Sequence, residues 1–249
     1  MSKHEADLDR QTTSEIISAY GREEELLHFA ETDGDYDYVL HHWTNRENWK
    51  EAITVLAEQT DLETFYKYST VPMFHAATDL IDILTRQTNV NIKKIIPAFL
   101  NYNRAIGQHI ALDQNQSIRY LLVCINHSHS IEPMAHNTLI SLYASHPTRN
   151  KGHLLHYSKT QSQHEQQPND ADFALYLCIA HQRVQSAVHI YTTMKQYTSA
   201  VDLALKYNET ELAIEVSKTP NIDETLRKKL RLKKSPRRYY NRTRTSNQL

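Results

Sequence analysis

Glycine is almost missing from this chain. Gly21, Gly34, Gly107 and Gly152 are the only four, and no two lie within ten positions of each other. A dinucleotide fingerprint, a phosphate-binding loop and a nucleophile elbow each need closely spaced glycines, because backbone must approach a phosphate or turn sharply there. None of these loops can form. All-β architectures are disfavoured as well, since their tight turns call for residues that reach positive φ cheaply. What remains is an all-helical fold.

Apolar residues recur at helical spacing almost throughout. Trp49, Ala52, Ile53, Leu56 and Ala57 fall at i, i+3, i+4, i+7 and i+8, which is one face of a helix. Tyr197, Ala200, Val201, Ala204 and Leu205 repeat that spacing, and His136, Leu139, Ile140, Tyr143 and Ala144 give another such face. Ile118, Leu121, Leu122 and Ile125 form a further stripe, as do Phe173, Tyr176, Leu177 and Ala180. Gly21 is placed to end a helix in the left-handed conformation, and Asp35 to cap the next one. Pro97, Pro133, Pro147, Pro168 and Pro220 punctuate the rest, with Pro133 suited to a first helical turn. The pattern predicts about fourteen short helices with connections of a few residues and no intervening strand.

Two segments read as copies. Leu40, Trp43, Trp49, Ala52, Ile53 and Val55 match Val188, Tyr191, Tyr197, Ala200, Val201 and Leu203, all at an offset of 148. Each is a helical hairpin, and one hairpin cannot bury its own apolar face. Stacked neighbours bury it jointly, which makes Trp43, Trp49, Ala52, Ile53, Tyr191, Tyr197, Ala200 and Val201 the structural repeat positions of an α-solenoid. A non-repetitive helical bundle that reuses one hairpin type is the alternative.

Charge is divided along the chain. The 249 residues hold 28 Lys and Arg against 29 Asp and Glu, a net charge of −1. Ten of the basic residues and no acids follow Leu226, so residues 1–226 carry 18 against 29, or −11. The two cysteines, Cys124 and Cys178, lie in apolar helical runs, no secretory leader opens the chain, and no run reaches the ~18 apolar residues of a membrane span. A soluble, cytosolic protein is the expectation.

Several segments go beyond generic helical patterning. Phe173-Ala-Leu-Tyr-Leu-Cys178, Ala187-Val-His-Ile-Tyr-Thr-Thr-Met194 and Tyr197-Thr-Ser-Ala-Val-Asp-Leu-Ala-Leu205 resemble the clathrin-heavy-chain-like repeat region of the vacuolar protein sorting-associated protein 18 (Deep orange) family. Leu62-Glu-Thr-Phe-Tyr-Lys-Tyr-Ser69, Ile96-Pro-Ala-Phe-Leu-Asn-Tyr102, Ser117-Ile-Arg-Tyr-Leu121, His136-Asn-Thr-Leu-Ile-Ser-Leu-Tyr-Ala144 and Asp223-Glu-Thr-Leu-Arg-Lys-Lys-Leu230 extend the likeness in order from about Ser14 to Leu232. The resemblance implies a non-enzymatic scaffold from the class C tethering core of the HOPS and CORVET complexes. It would act in vesicle docking and fusion on the cytosolic face of late endosomes and lysosomes or vacuoles, without a cofactor. Other class C subunits would be its direct partners, Rab GTPases and SNAREs its indirect ones, and its membrane association peripheral. The family's N-terminal propeller and C-terminal zinc-binding RING have no counterpart here. The chain is expected to divide into a solenoid over 1–232 and a disordered basic tail over 233–249, where the family's helix would continue and Pro236 instead breaks it. Truncation or alternative termination of the gene product is the expected cause.

In that tail Arg237, Arg238, Tyr239, Tyr240, Arg242 and Arg244 interleave cations with aromatics, a pattern that could hold anionic lipid or nucleic acid. A nucleic-acid-binding helical-repeat protein is therefore the rival reading, opposed by the acidity of the body. Carboxylates such as Glu23, Glu24, Glu25, Asp33 and Asp35 sit at helix starts and read as caps, not as acid–base pairs. Cys124, His127, His129 and His136 are the densest group of soft ligands, but they lack the Cys-x-x-Cys pairs of structural zinc sites. They are expected to be packing and surface residues. A chelator should leave the melting temperature unchanged; a drop of several degrees would restore the metal.

Overall fold

The computed structural model describes residues 9–59, 62–87, 90–126, 132–147, 152–162 and 170–219, together with Glu224, Arg227 and Lys228. Among these residues the secondary structure is helical, with no strand. The chain divides into two compact units, Met1–Val123 and Cys124–Leu249. The first holds α1 (Arg10–Ala19), α2 (Glu23–Asp33), α3 (Tyr36–Asn45), α4 (Trp49–Glu58), α5 (Leu62–Tyr68), α6 (Thr70–His75), α7 (Ala77–Arg86) and α8 (Ile92–Tyr102). The helix α9 (Gln116–Asn126) spans the division, and the second unit continues with α10 (Pro133–Ser145), α11 (Gly152–Gln161), α12 (Ala171–Ala180), α13 (Val184–Thr193), α14 (Tyr197–Lys206) and α15 (Thr210–Ser217).

A step of thirteen residues recurs at one end of each unit. The helices α1 to α4 begin at Arg10, Glu23, Tyr36 and Trp49, and α12 to α15 begin at Ala171, Val184, Tyr197 and Thr210. Each step is about ten helical residues and a three-residue turn, and each helix packs against the next within its set. The turns share one design. After α13 the Lys195 N–H bonds the Thr192 carbonyl at 3.0 Å and the Gln196 N–H reaches back to Tyr191 at 2.8 Å. That pair of bonds is a Schellman motif, and it requires a left-handed residue between them. Gly21, Gly34, Glu47, Gln182, Lys195 and Asn208 fill that place with φ between 54° and 77°, and they too lie thirteen apart in two sets of three.

In every stepped helix after α1 the fourth residue faces inward. Ala174, Ala187, Ala200 and Ala213 are 1, 0, 0 and 2% exposed, and Leu26, Val39 and Ala52 hold the same place in the first unit at 7, 0 and 0%. In the second unit Ala200, Val201, Ala204, Ala213 and Val216 close a core with Val184 and Val188. Small side chains at a helix crossing let the axes approach.

Between the stepped sets the connections are less regular. The helix α8 packs on α6 and buries Ile95, Ile96, Ala98, Phe99 and Tyr102. It then passes into a single π turn, Asn103–Gly107. The Asn115 amide ties that turn to α9: its Nδ2 donates to Asn103 Oδ1 at 3.0 Å, and its Oδ1 accepts from the backbone of Ser117 at 3.1 Å. A Cβ at Gly107 would meet the Asn103 and Asn115 side chains at 2.6 Å, so glycine is needed here for closeness, not for its φ.

Two sequence expectations change. Pro97 does not break a helix but lies within α8, on its exposed side, where the unmade hydrogen bond faces water. Sequence spacing put Phe173, Tyr176, Leu177 and Ala180 on the core face of α12, whereas the structure buries Ala174, Leu175 and Cys178 and leaves Phe173, Tyr176 and Ala180 exposed. Both sides of that helix are apolar, so periodicity alone could not choose; the thirteen-residue step decides it. Glycine ends only two of the six Schellman turns, although its scarcity had argued only against β-structure. A non-glycine left-handed residue costs about 1–2 kcal/mol, so Lys195→Gly should raise the unfolding free energy by roughly 0.5–1 kcal/mol in urea titration, and Lys195→Val should lower it.

Candidate functional site

The repeat positions lie on α3, α4, α13 and α14, and four of them are fully buried. In the first unit Ala52 and Ile53 on α4 are 0 and 3% exposed, while Trp43 and Trp49 are half-buried at the rims. Trp49 stacks on His75 of α6, with ring centroids 4.1 Å apart and planes inclined by 2°. In the second unit Ala200 and Val201 are 0 and 1% exposed, and Tyr191 and Tyr197 pack against the core they belong to. Each helix pair thus has an aliphatic centre and an aromatic border. Such a border buries ring area while the polar edge stays wet.

Carboxylates singled out from the sequence are engaged in holding helices. Asp35 accepts from the Tyr38 backbone N–H at 3.2 Å and caps α3. Asp33 was expected at a helix start but is the last residue of α2, where it pairs with Arg10 at 2.7 Å, and Glu23 pairs with Arg46 across the first three helices. Asp37 lies 2.8 Å from Lys67, whose hydrogen bond holds its carboxyl below the ordinary value. These pairs are solvent-exposed, and their worth is correspondingly small.

His136 and Cys124 are not together in a metal centre. His136 is buried on α10, with its Nδ1 2.6 Å from Tyr157 Oη of α11, and Cys124 is half-buried on α9. Burial pushes the Tyr157 phenol well above its ordinary range. His127 and His129 lie outside the described residues, as do Arg237, Arg238, Tyr239, Tyr240, Arg242 and Arg244 of the tail. Among the described residues no three His, Cys, Asp or Glu side chains stand close enough to hold a metal ion. The Cys178 thiol is pushed up to about 12 by burial, which keeps it protonated and unreactive.

Arg183 is the residue that sequence reasoning missed. It is 7% exposed, and its Nε donates to the Ala144 carbonyl at 2.9 Å while its guanidinium also bonds the His146 carbonyl. Those carbonyls end α10, where unmatched acceptors and the negative end of the helix dipole both favour a cation. Burial lowers its pKa, without threatening the charge of so strong a base. No spacing rule marks an arginine for this duty; only its place between the runs of α12 and α13 hinted at burial.

A groove of about 300 Å³ opens between α11, α13 and α15, with Leu155, Val188, Leu212 and Val216 at its base and Lys159, His189 and Glu215 among its polar lining. Ser162 Oγ lies 3.3 Å from His189 Nε2, but the ring's other recorded bond is to the backbone of Ser158 and not to a carboxylate. A hydrolytic triad orients its histidine with an acid, so this pair is structural. Burial first, and then Lys159, lower the His189 pKa. The unfolded chain protonates this imidazole near its ordinary pKa of about 6.5, while the folded chain resists until lower pH. Stability contributed by the neutral ring is thus complete above that pH and lost below it. Urea unfolding at pH 7.5 and 5.5 should show His189→Gln losing less stability on acidification than the parent chain.

Residues 36–235 match the family model described as VPS18, alpha-solenoid domain, second half. The chain is 32% identical over 92% of its length to the vacuolar membrane protein pep3 of Schizosaccharomyces pombe, covering 25% of that protein. It is 34% identical over 90% of its length to the vacuolar protein sorting-associated protein 18 homolog of Danio rerio, covering 23% of that relative. Vacuolar sorting protein 18 of Arabidopsis thaliana is 32% identical over 92% of the chain, which again covers 23% of it. The chain spans about a quarter of the length of these relatives.

Proposed function

The chain belongs to the VPS18 family, through the second half of that family's α-solenoid domain, and from this premise we propose that it is a scaffold segment of a class C membrane-tethering subunit. Its work is geometric. Stacked hairpins hold partner subunits at fixed separation and orientation, and binding energy is spread over helix surfaces instead of gathered in a pocket. The observation that carries the reading is the 36–235 match, which takes in α3, α4 and the stepped helices α12 to α15 with their buried fourth residues.

The finer reading follows the relatives' names. A vacuolar membrane protein and vacuolar sorting proteins suggest a place at the vacuole or lysosome and late endosome, in HOPS- and CORVET-type complexes. Contact with Rab GTPases and SNAREs is then indirect, through other subunits. Among the described residues no helix is long and apolar enough to cross a membrane, which suits peripheral attachment through the complex. We read the chain as non-enzymatic, with Trp43, Trp49, Ala52, Ile53, Tyr191, Tyr197, Ala200 and Val201 serving the stack.

We propose that the solenoid extends to Leu232, because the thirteen-residue step continues in the sequence. In the sequence Asn221 falls thirteen places after Asn208, and Leu226 falls thirteen after Ala213. Residues 233–249 then form a separate basic tail. Capture from cytosol on the tagged full chain tests the function: recovery of other class C subunits is expected. Recovery of RNA alone, lost on removal of residues 233–249 and at raised salt, would replace the scaffold with the nucleic-acid reading.

A further inference from the structure

Comparison of the stepped helices position by position isolates α12. The sixth residue of each is exposed except the half-buried His189, and outside α12 it is polar in every case: Glu15, His28, His41, Thr54, His189, Asp202 and Glu215. On α12 it is Tyr176, 68% exposed. One turn to either side stand Phe173 and Ile179, 38 and 37% exposed. Met134, 45% exposed, lies on neighbouring α10, one turn before Asn137, whose side chain accepts from the Asp170 backbone N–H at the start of α12. Nine large apolar side chains remain exposed among the described residues, and four of them fall on these two packed helices. Exposed apolar side chains gathered on two packed helices mark an interaction site.

The charge around it is one-sided. Neither α10 nor α12 contains a lysine or arginine, and Asp170 and Asp172 stand exposed at the Phe173 end of the stripe. Arg183, the nearest cation in sequence, is buried against the carbonyls of Ala144 and His146. The stripe has helical i, i+3, i+6 spacing, so its complement is another helix with apolar anchors, and the carboxylates call for cations at one end of it.

We propose that the outward face of α12, with Met134 beside its start, is the docking surface for an amphipathic helix of a partner subunit that carries Lys or Arg at the end lying against Asp170 and Asp172. This rests on the scaffold reading and names the surface through which it operates. The core face of α12 holds the stack, and the outer face recruits.

Purified class C subunits, each presented singly to the immobilised full chain, provide the test. At least one is expected to bind the parent chain. Tyr176→Glu should weaken that binding at least tenfold, as loss of a central aromatic anchor does. Asp172→Lys should weaken the same complex, and Tyr20→Glu, at the exposed C-terminal cap of α1, should leave it intact. Circular dichroism and urea midpoints should be unchanged in all three, because every substituted side chain is exposed. A photo-crosslinking benzoylphenylalanine at position 176 should join a basic, apolar-striped helix of the partner. Undiminished binding by Tyr176→Glu, or crosslinks only to a second copy of this chain, would overturn the docking surface and leave the scaffold standing. Failure of the parent chain to bind any class C subunit would overturn both.

Discussion

Close packing at the fourth residue of each helix is the constraint from which the rest follows. Ala174, Ala187, Ala200 and Ala213 are all but excluded from water in the second unit, and Leu26, Val39 and Ala52 take the same place in the first. A short turn leaves no slack for a helix to slide or roll. The Schellman bonds set where each helix stops, the left-handed residue aims the next one, and the alanine sets how near it comes. Isolated helices of this length are marginal in water, so their stability resides in the shared faces and not in any one segment. Four residues accept left-handed strain to keep the geometry, because lost packing along a whole seam would exceed a strain of about 1–2 kcal/mol per turn.

Much of this was legible beforehand. Scarce glycine, apolar residues at helical spacing and the repeated Trp43–Ile53 and Tyr191–Val201 hairpins led to an all-helical stack, and Gly21, Asp35 and Pro133 were read in their true roles. The offset of 148 was real but was not the unit of construction. That unit is thirteen residues, and Ala174, Ala187, Ala200 and Ala213 spell it out in plain sequence. It was obscured because the region from α5 to α11 departs from the step, so the two regular sets differ in phase. Where a helix is apolar on every side, as α12 is, its inner face can be found only from its neighbours.

Functional residues were less legible, for a physical reason. A pocket enzyme announces itself through strained loops and convergent ionisable groups, whereas a scaffold distributes its contacts over ordinary surface. The acids turned out to be helix partners, His136 a packing residue bonded to Tyr157, and Cys178 a buried thiol. Arg183 was invisible because its partners are main-chain carbonyls, which every sequence contains. Tyr176 became conspicuous only when compared with the residues that share its place in other helices.

The regular step also has a consequence for how such a chain can change length. Adding one residue inside a helix rotates everything after it by roughly 100°, carrying the buried alanines toward water and outward acids toward the core. A whole thirteen-residue unit restores the phase, and two units restore the direction of travel as well. Growth and loss in a protein of this kind are therefore quantised: its genes can lengthen or shorten by hairpins far more readily than by single codons within the stepped helices.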